Sequence, residues 1–423
     1  MGRTIKNGNL PHPKPVEKVE LSERYVGLRI VLFLVLLVVG VSAIAYGIRS
    51  FFGTKEGWTA VGTEMSAGAG AGNEFVFMYR LGSRDDMSVV AENKAVTAAY
   101  AKALEHSYQL FHSNQSFENV PNIYYINQHP NQVIKVDDLL YRAFATAAEY
   151  EDRNLYLAPV YEIYDDIFFC EDDSQIVDYD PCTNEEVAAL YREMTVFAGD
   201  PESVEVRLLG DNEIQLYVSD DYLKYGQQND ASKWIDFSWM KNAFIVDFLA
   251  EELAAQGFTA GTISSYDGFA HNMDDSGETF ALNIYNREQE EIRQVAAMQY
   301  SLPRSFVTLR DYPMNAPDKY RYYQLDNGQI RTSYLDVADG LCKSAVDSLY
   351  SYSTEHGCAQ ILMEIAPLYI ADAMQEPALW ELAENGIYSL YCRDHVILYN
   401  DASLKLTELY AAEGLTYTVE LQK

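Results

Sequence analysis

Nineteen consecutive residues, Ile30 to Ile48, carry no charge and stand between Arg29 and Arg49. At a helical rise of about 1.5 Å per residue the run spans roughly 28 Å, close to the roughly 30 Å hydrocarbon core of a bilayer. One transmembrane helix is predicted at residues 30–48. Arg3, Lys6, Lys14, Lys18, Arg24 and Arg29 precede the run, whereas only Arg49 and Lys55 follow closely. The positive-inside bias therefore makes residues 1–29 a cytoplasmic tail and puts the rest outside the cell membrane. Ala43-Ile44-Ala45 has the small-x-small form of a signal-peptidase site. A cleaved leader is the rival reading, but the long polar segment before the run and its full spanning length favour an uncleaved, single-pass anchor.

Past the run the apolar period shortens and alternates. Val89 to Phe111 and Asp137 to Asn154 have helical spacing, and Thr183-Asn184-Glu185-Glu186 is a capping-box start for a helix to about Ala198. Val204 to Leu208 and Ile214 to Val218 alternate with period two around Gly210-Asp211-Asn212, which predicts a hairpin. Trp234 to Phe237 reads as a short strand, Met240 to Gln256 as a helix stopped by Gly257, and Thr259 to Ser265, Phe280 to Ile284 and Ser305 to Leu309 as strands. Leu341 to Glu355 reads as helical, Ala359 to Ile365 as extended and Ala371 to Glu384 as helical. Hairpins mixed with helices in irregular order predict an α+β domain of mixed sheets flanked by helices over residues 56–423. Ser66 to Gly72, alternating with Ala and Gly, reads as a loop or linker near its start.

Charge separates the two sides of the anchor. Residues 1–55 carry eight Lys/Arg against three Asp/Glu, leaving 23 against 60 for residues 56–423. So acidic a surface repels nucleic acid and anionic lipid, and its ordinary role is to keep the domain soluble. All five Cys (Cys170, Cys182, Cys342, Cys358, Cys392) follow the anchor. In an oxidising compartment Cys170 with Cys182 and Cys342 with Cys358 are candidate local bridges; otherwise all five are buried thiols. The acidic stretch Glu162 to Cys182 lacks the Gly and closing Glu of a calcium loop and reads as an acidic loop.

The segment Asp236-Phe237-Ser238-Trp239-Met240-Lys241-Asn242 entering a helix, then Thr262-Ile263-Ser264-Ser265 and the turn Tyr266-Asp267-Gly268, resembles the ApbE family, the FAD:protein FMN transferases. Further blocks fall in that family's order: Asn122 to Asn127; Val160 to Tyr164; Ser305 to Tyr312 with Arg310 and Asp311; Tyr323 to Gly328 with Asp326; and Ala371-Asp372-Ala373. The resemblance implies a cleft that binds FAD and Mg²⁺ and passes FMN to a Ser or Thr hydroxyl of a partner protein. It assigns Asn127, Lys241, Tyr266, Asp267, Gly268, Arg310 and Asp311 to cofactor binding, Tyr323 and Asp326 to the catalytic positions, and Asp372 with Glu376 to the metal.

The departures bear on activity. The family's two adjacent glycines, which let backbone approach the nucleotide, are Tyr266 and Asp267 here, and a carboxylate repels a diphosphate. Leu309-Arg310 replaces a Ser-Gly pair, Asn242 replaces a Gly, and Tyr323 replaces a His, with a phenol whose ordinary pKa near 10 suits it poorly to act as a base. Pro377 disfavours α conformation at Glu376, so its carboxylate need not share a helix face with Asp372. The leading expectation is a flavin-transferase-like domain degenerate at its flavin site, acting as a binding or assembly module for another membrane or extracytoplasmic protein. One alternative is an active Mg²⁺-dependent transferase with a rebuilt site, in which Arg310 meets the pyrophosphate and Lys241 assists. Another is a carbohydrate or cell-wall binder using its 33 Tyr. Without the family, Lys241 is a solvated cation, Asp326 and Gly328 form an ordinary turn, and Asp311 caps or pairs with Arg310.

Overall fold

Alternation along the strands decides which side chains face which layer. The computed structural model describes residues 55–62, 74–289, 291–314, 318, 320–412 and 414–422. The anchor expected at 30–48, the tail before it and the Ser66 to Gly72 segment lie outside the described residues, within which no helix is long and apolar enough to cross a membrane. Among the described residues nine strands form one sheet: β1 (Gly57–Ala60), β2 (Phe75–Leu81), β3 (Gly261–Ser265), β4 (Phe269–Asn272), β5 (Arg304–Arg310), β6 (Ser348–Ser353), β7 (Tyr388–Arg393), β8 (Val396–Tyr399) and β9 (Thr418–Leu421). Their order in space follows their order in the chain. Each neighbouring pair is antiparallel except β8 with β9.

Successive side chains on a strand point to opposite faces. Val307, Leu309, Leu349, Tyr391 and Leu398 join the core formed with α1 (Val89–Phe111), α2 (Lys241–Ala255) and α3 (Cys358–Tyr369). Their neighbours Phe306, Tyr350, Leu390 and Ile397 join a second core, against a three-stranded sheet of Phe280–Glu288, Glu291–Tyr300 and Lys405–Thr407. Fully burying one such side chain is worth about 1.5–3 kcal/mol. The central strands are thus held from both sides, and the architecture is mixed α+β with sheets and helices.

Several elements match the expected pattern. Ser88 caps α1 by accepting from the Ala91 N–H, and Gly257, at φ +81°, ends α2. The hairpin Val204–Gly210 with Glu213–Val218 turns at Asp211 and Asn212, both at positive φ. The helix after Thr183 is present from Glu185, but its cap is Asn184, accepting from the Glu186 N–H, and not the Thr183 of a capping box, whose hydroxyl donates to the Asp180 carbonyl. The helix read to Asn154 stops at Glu149, followed by a 3₁₀ turn at Asn154–Leu157.

Other expectations are corrected. Leu341 to Glu355 is not helical, since Ser348–Ser353 forms β6; Ala359 to Ile365 is not extended, because it lies inside α3. Trp234 to Phe237 belongs to no strand, and of Ala371 to Glu384 only Glu376–Glu381 is α-helical, followed by a 3₁₀ turn at Leu382–Asn385. The helix Asp220–Gln228 and the strand Glu291–Tyr300 were not anticipated. Neither proposed cysteine bridge is formed, and all five thiols are free. Cys358 is buried with its Sγ 3.3 Å from the Ala270 carbonyl, while the Cys342 sulfur lies 3.3 Å from the Thr332 N–H.

Candidate functional site

The blocks scattered along the sequence are stitched together by long-range hydrogen bonds. Asn127 is buried, and its whole amide is spent on the segment leading into α2. Its Oδ1 accepts from the N–H groups of Trp234 and Ile235, at 2.8 and 3.0 Å, and its Nδ2 donates to the Ile235 carbonyl. The Trp239 indole then donates to the Tyr161 hydroxyl, which itself donates to the Ser333 carbonyl at 2.9 Å. The buried Tyr164 hydroxyl donates to the Thr332 carbonyl. Asn127 therefore positions the start of α2.

Lys241 is the first residue of α2, and its Nζ lies 3.4 Å from a carboxylate oxygen of Glu74. Asn242 beside it is fully buried and donates both to Glu74, at 3.0 Å, and to Asp267, at 2.8 Å. Arg321 closes the group, pairing with Asp267 and reaching Glu74 at 3.6 Å. Two cations and two carboxylates thus neutralise one another at the tip of the β3–β4 hairpin. Two acceptors here, Asn242 Oδ1 and Asp267 Oδ1, are buried without a hydrogen-bond partner.

Gly268 lets that hairpin pass close to β5. Its φ is +106°, and a Cβ there would stand 2.2 Å from the Thr308 carbonyl oxygen. Only glycine fits both the conformation and the approach. Tyr266 is partly exposed, its N–H donates to the Glu74 carbonyl, and its own carbonyl accepts from Arg310 at 3.2 Å. Arg310, at the end of β5, is buried and pairs with Asp318 at 2.9 Å, while Tyr322 donates to its backbone carbonyl.

The structure therefore brings Lys241, Tyr266, Asp267, Gly268 and Arg310 into one neighbourhood. The space among Trp239, Asp267, Arg321, Tyr322 and Tyr334 is about 20 Å³, and that beside Lys241, toward Leu104 and Phe111, about 40 Å³. On this measure a single water needs about 10–15 Å³, so each has room for only a few waters.

The remaining expected residues have other partners. Asp311 pairs not with Arg310 but with Arg287, at 3.0 Å; burial pushes its carboxyl up to about 7, with Arg287 partly opposing the shift. Tyr323 donates its hydroxyl to Asp173 at 2.9 Å, and the same carboxylate accepts from the Asp326 N–H at 3.0 Å. Burial and Asp173 raise the Tyr323 phenol, so it stays protonated at neutral pH. The Asp326 side chain is exposed in a turn that Gly328 completes at φ +84°. Asp372 is largely exposed, with its carboxylate 3.6 Å from Lys343, whose ammonium also meets Asp336 and Asp339, both at 2.8 Å. Glu376 is held by the Tyr391 hydroxyl and Arg393. The two carboxylates assigned to the metal are thus engaged by separate cations, and no cluster of three metal-ligating side chains occurs among the described residues.

Glu74, Asp173, Asp318, Arg321, Tyr322 and Tyr334 were not singled out from the sequence. Arg321 and Tyr322 directly precede the matched block at Tyr323, which was the available signal. Asp173 lay in the acidic stretch read only as a loop, and Glu74 and Asp318 stand in no motif.

No protein-family model and no curated protein sequence matches the chain. Solved structures do. The ApbE protein of Thermotoga maritima superposes with a TM-score of 0.55 at 12% identity, over 83% of this chain and 97% of that one. The flavin transferase ApbE of Vibrio cholerae does so with a TM-score of 0.51 at 13% identity, over 85% of this chain and 99% of that one. At such identities the likeness concerns the course of the backbone, and it spans nearly the whole of both relatives. The chain has a divergent ApbE flavin-transferase fold.

Proposed function

We propose that this chain is a single-pass membrane protein, N-terminus in the cytoplasm, whose extracytoplasmic ApbE-like domain no longer transfers flavin and serves as a binding or assembly module for another membrane or extracytoplasmic protein. The observation that carries this reading is the filling of the expected cleft around Asp267 and Arg321, although a hollow of about 450 Å³ stays open beside Asn127 and Tyr161. Where the resemblance puts the nucleotide, the side chains of Trp239, Tyr322 and Tyr334 and the Arg321–Asp267 pair leave about 20 Å³.

Electrostatics points the same way. The buried atoms left without partners, Asn242 Oδ1 and Asp267 Oδ1, are acceptors, which suit a donor and repel phosphate oxygens. The cations beside them are already paired with Glu74 and Asp267. At the metal position the Lys343 ammonium already supplies a positive charge to Asp336, Asp339 and Asp372. These contacts support a reading in which FAD and Mg²⁺ are not held by these residues.

The test uses the full chain purified in detergent and incubated with FAD, Mg²⁺ and an acceptor protein carrying a Ser/Thr flavinylation site. The expected outcome is a colourless protein after desalting and an acceptor without covalent flavin fluorescence on a denaturing gel. Retained yellow colour or a labelled acceptor overturns the reading in favour of a rebuilt, active site.

A further inference from the structure

A larger cavity lies farther along α2, on the helix side of the nine-stranded sheet. It measures about 710 Å³ and is walled by the helix Asp138–Glu149, by α2 and by the start of α3, with His271 of β4 and Ser305 of β5 at the sheet. That volume falls within the roughly 300–1,000 Å³ typical of small-molecule sites, which combine an apolar wall with a few placed polar groups. Leu139, Ala143, Phe244, Phe248 and Met273 supply the apolar wall here.

The placed polar group is His271. The strand register sets it opposite Ser305, with Nδ1 2.9 Å from the Ser305 Oγ. Ser305 is buried, and its hydroxyl has no other hydrogen-bond partner among the described residues. A buried hydroxyl proton needs an acceptor, and Nδ1 is the one within reach. Burial holds the imidazole below its ordinary pKa, so the ring is neutral at pH 7. Accepting at Nδ1, it carries its single proton on Nε2. That nitrogen has no hydrogen-bond partner among the described residues and is not sealed inside the protein, so its N–H opens into the cavity the ring lines. Ser305 thus fixes from behind a donor that the fold itself does not use.

Charge decides what this donor receives. Arg304 borders the cavity, but its guanidinium packs beside Tyr300 and Tyr352 on the opposite face of the sheet. Arg142 is tied to Glu251 at 2.8 Å and to Asp138 at 3.1 Å. Glu149 and Glu355 line the cavity as exposed carboxylates, and Asp247 accepts from the N–H groups of Cys358 and Ala359. The surroundings are therefore negative, and an entering carboxylate meets repulsion while the cations of the wall are engaged elsewhere. A neutral carbonyl oxygen accepts from Nε2 without that cost.

We infer that this cavity is a binding site for a small uncharged molecule with an apolar body and a carbonyl oxygen, the oxygen on the His271 Nε2–H and the body against Phe244 and Phe248. The site depends on neither flavin nor metal, so it stands or falls separately from the reading of the cleft.

The test is isothermal titration of the full chain in detergent, against a matched blank of empty micelles. The probes are 4-phenylbutan-2-one and 3-phenylpropionate, which differ only in a methyl group exchanged for a charged oxygen. The ketone is expected to bind saturably at one site per chain and at least about tenfold more tightly than the acid. His271→Phe, which keeps a flat ring and removes the donor, should weaken the ketone about five- to tenfold, and His271→Gln, whose amide donates, should weaken it less. Ala254→Trp, which fills the cavity from an exposed position on α2, should weaken it at least as much as His271→Phe. Unchanged urea unfolding midpoints show that the variants are folded. No saturable binding of the ketone up to about 10 mM, equal affinity for ketone and acid, or a ketone affinity unchanged in folded His271→Phe or Ala254→Trp each overturns the proposal.

Discussion

Asp311 carries the clearest consequence at the scale of one residue. Its carboxyl is raised to about 7 chiefly by burial, and its Oδ1 is buried without a partner. An acid raised on folding holds its proton in the native state while the unfolded chain, with a carboxyl near 3.8, has already lost it. Native stability from this group is therefore full at acidic pH and declines as pH rises from about 4 to about 7. Asp311→Asn removes the titration and leaves Arg287 its contact with Asp347 at 3.1 Å. Measured by urea unfolding, the variant should gain on the wild type by at most about 1.4 kcal/mol per pH unit across that window and level off above it. Parallel stability profiles would show that Asp311 is ionised throughout. Residues of this kind were only partly legible in the sequence. Lys241 and Asp267 belong to local motifs and could be named in advance. The partners of Lys241, Tyr323 and Arg310, which are Glu74, Asp173 and Asp318, are charges in loops with no motif, and two of those pairings join residues more than a hundred positions apart.

Among the elements, α3 depends on a carboxylate from another helix. Gly357 precedes its first turn and has no side chain to cap it, so Asp247 of α2 accepts from the N–H groups of Cys358 and Ala359 at 2.7 and 2.8 Å. A Cβ at 357 would stand 2.4 Å from an Asp247 oxygen, so any side chain there would push the capping carboxylate aside. Asp247→Ala strands both donors and should cost about 2–4 kcal/mol in urea unfolding, with Asp247→Asn, which retains one acceptor, costing about half as much. Equal losses in the two variants would mean that α3 is capped from elsewhere. The same helix explains why the sequence misled here. Seven of the nine side chains of Cys358–Ala366 are buried and only Gln360 and Glu364, four apart, form its polar stripe, so the segment is apolar nearly all round and its helical period is faint. β6 has the complementary problem. All six residues of Ser348–Ser353 are buried, with Leu349 in one core and Tyr350 in the other, which removes the polar alternation that marks a half-exposed strand. The hairpin at Gly210 to Asn212 and the exposed-faced α1 kept their periods and were legible.

Across the whole molecule the charge is strongly unbalanced. Residues 56–423 carry 60 acidic against 23 basic side chains. Even if every cation is paired, most carboxylates have no cation to meet, and their mutual repulsion acts against the compact state. Salt has two opposing effects. It weakens the ion pairs on the surface, each worth about 0–1 kcal/mol, and it screens the long-range repulsion among the excess carboxylates, the Debye length falling from about 30 Å at 10 mM to about 8 Å at 150 mM. With the charge this unbalanced, the second effect should win. The thermal midpoint is expected to rise by about 2–5 °C between about 10 and 150 mM NaCl. The shape of the curve identifies the cause: screening saturates by a few hundred millimolar, whereas strengthening of apolar burial by salt continues to grow with concentration. A midpoint that falls with NaCl would mean that paired charges such as Arg287–Asp311 and Lys343 among its aspartates contribute more to stability than the acidic excess costs. A steady rise without a plateau would place the effect in the two apolar cores on either face of the nine-stranded sheet.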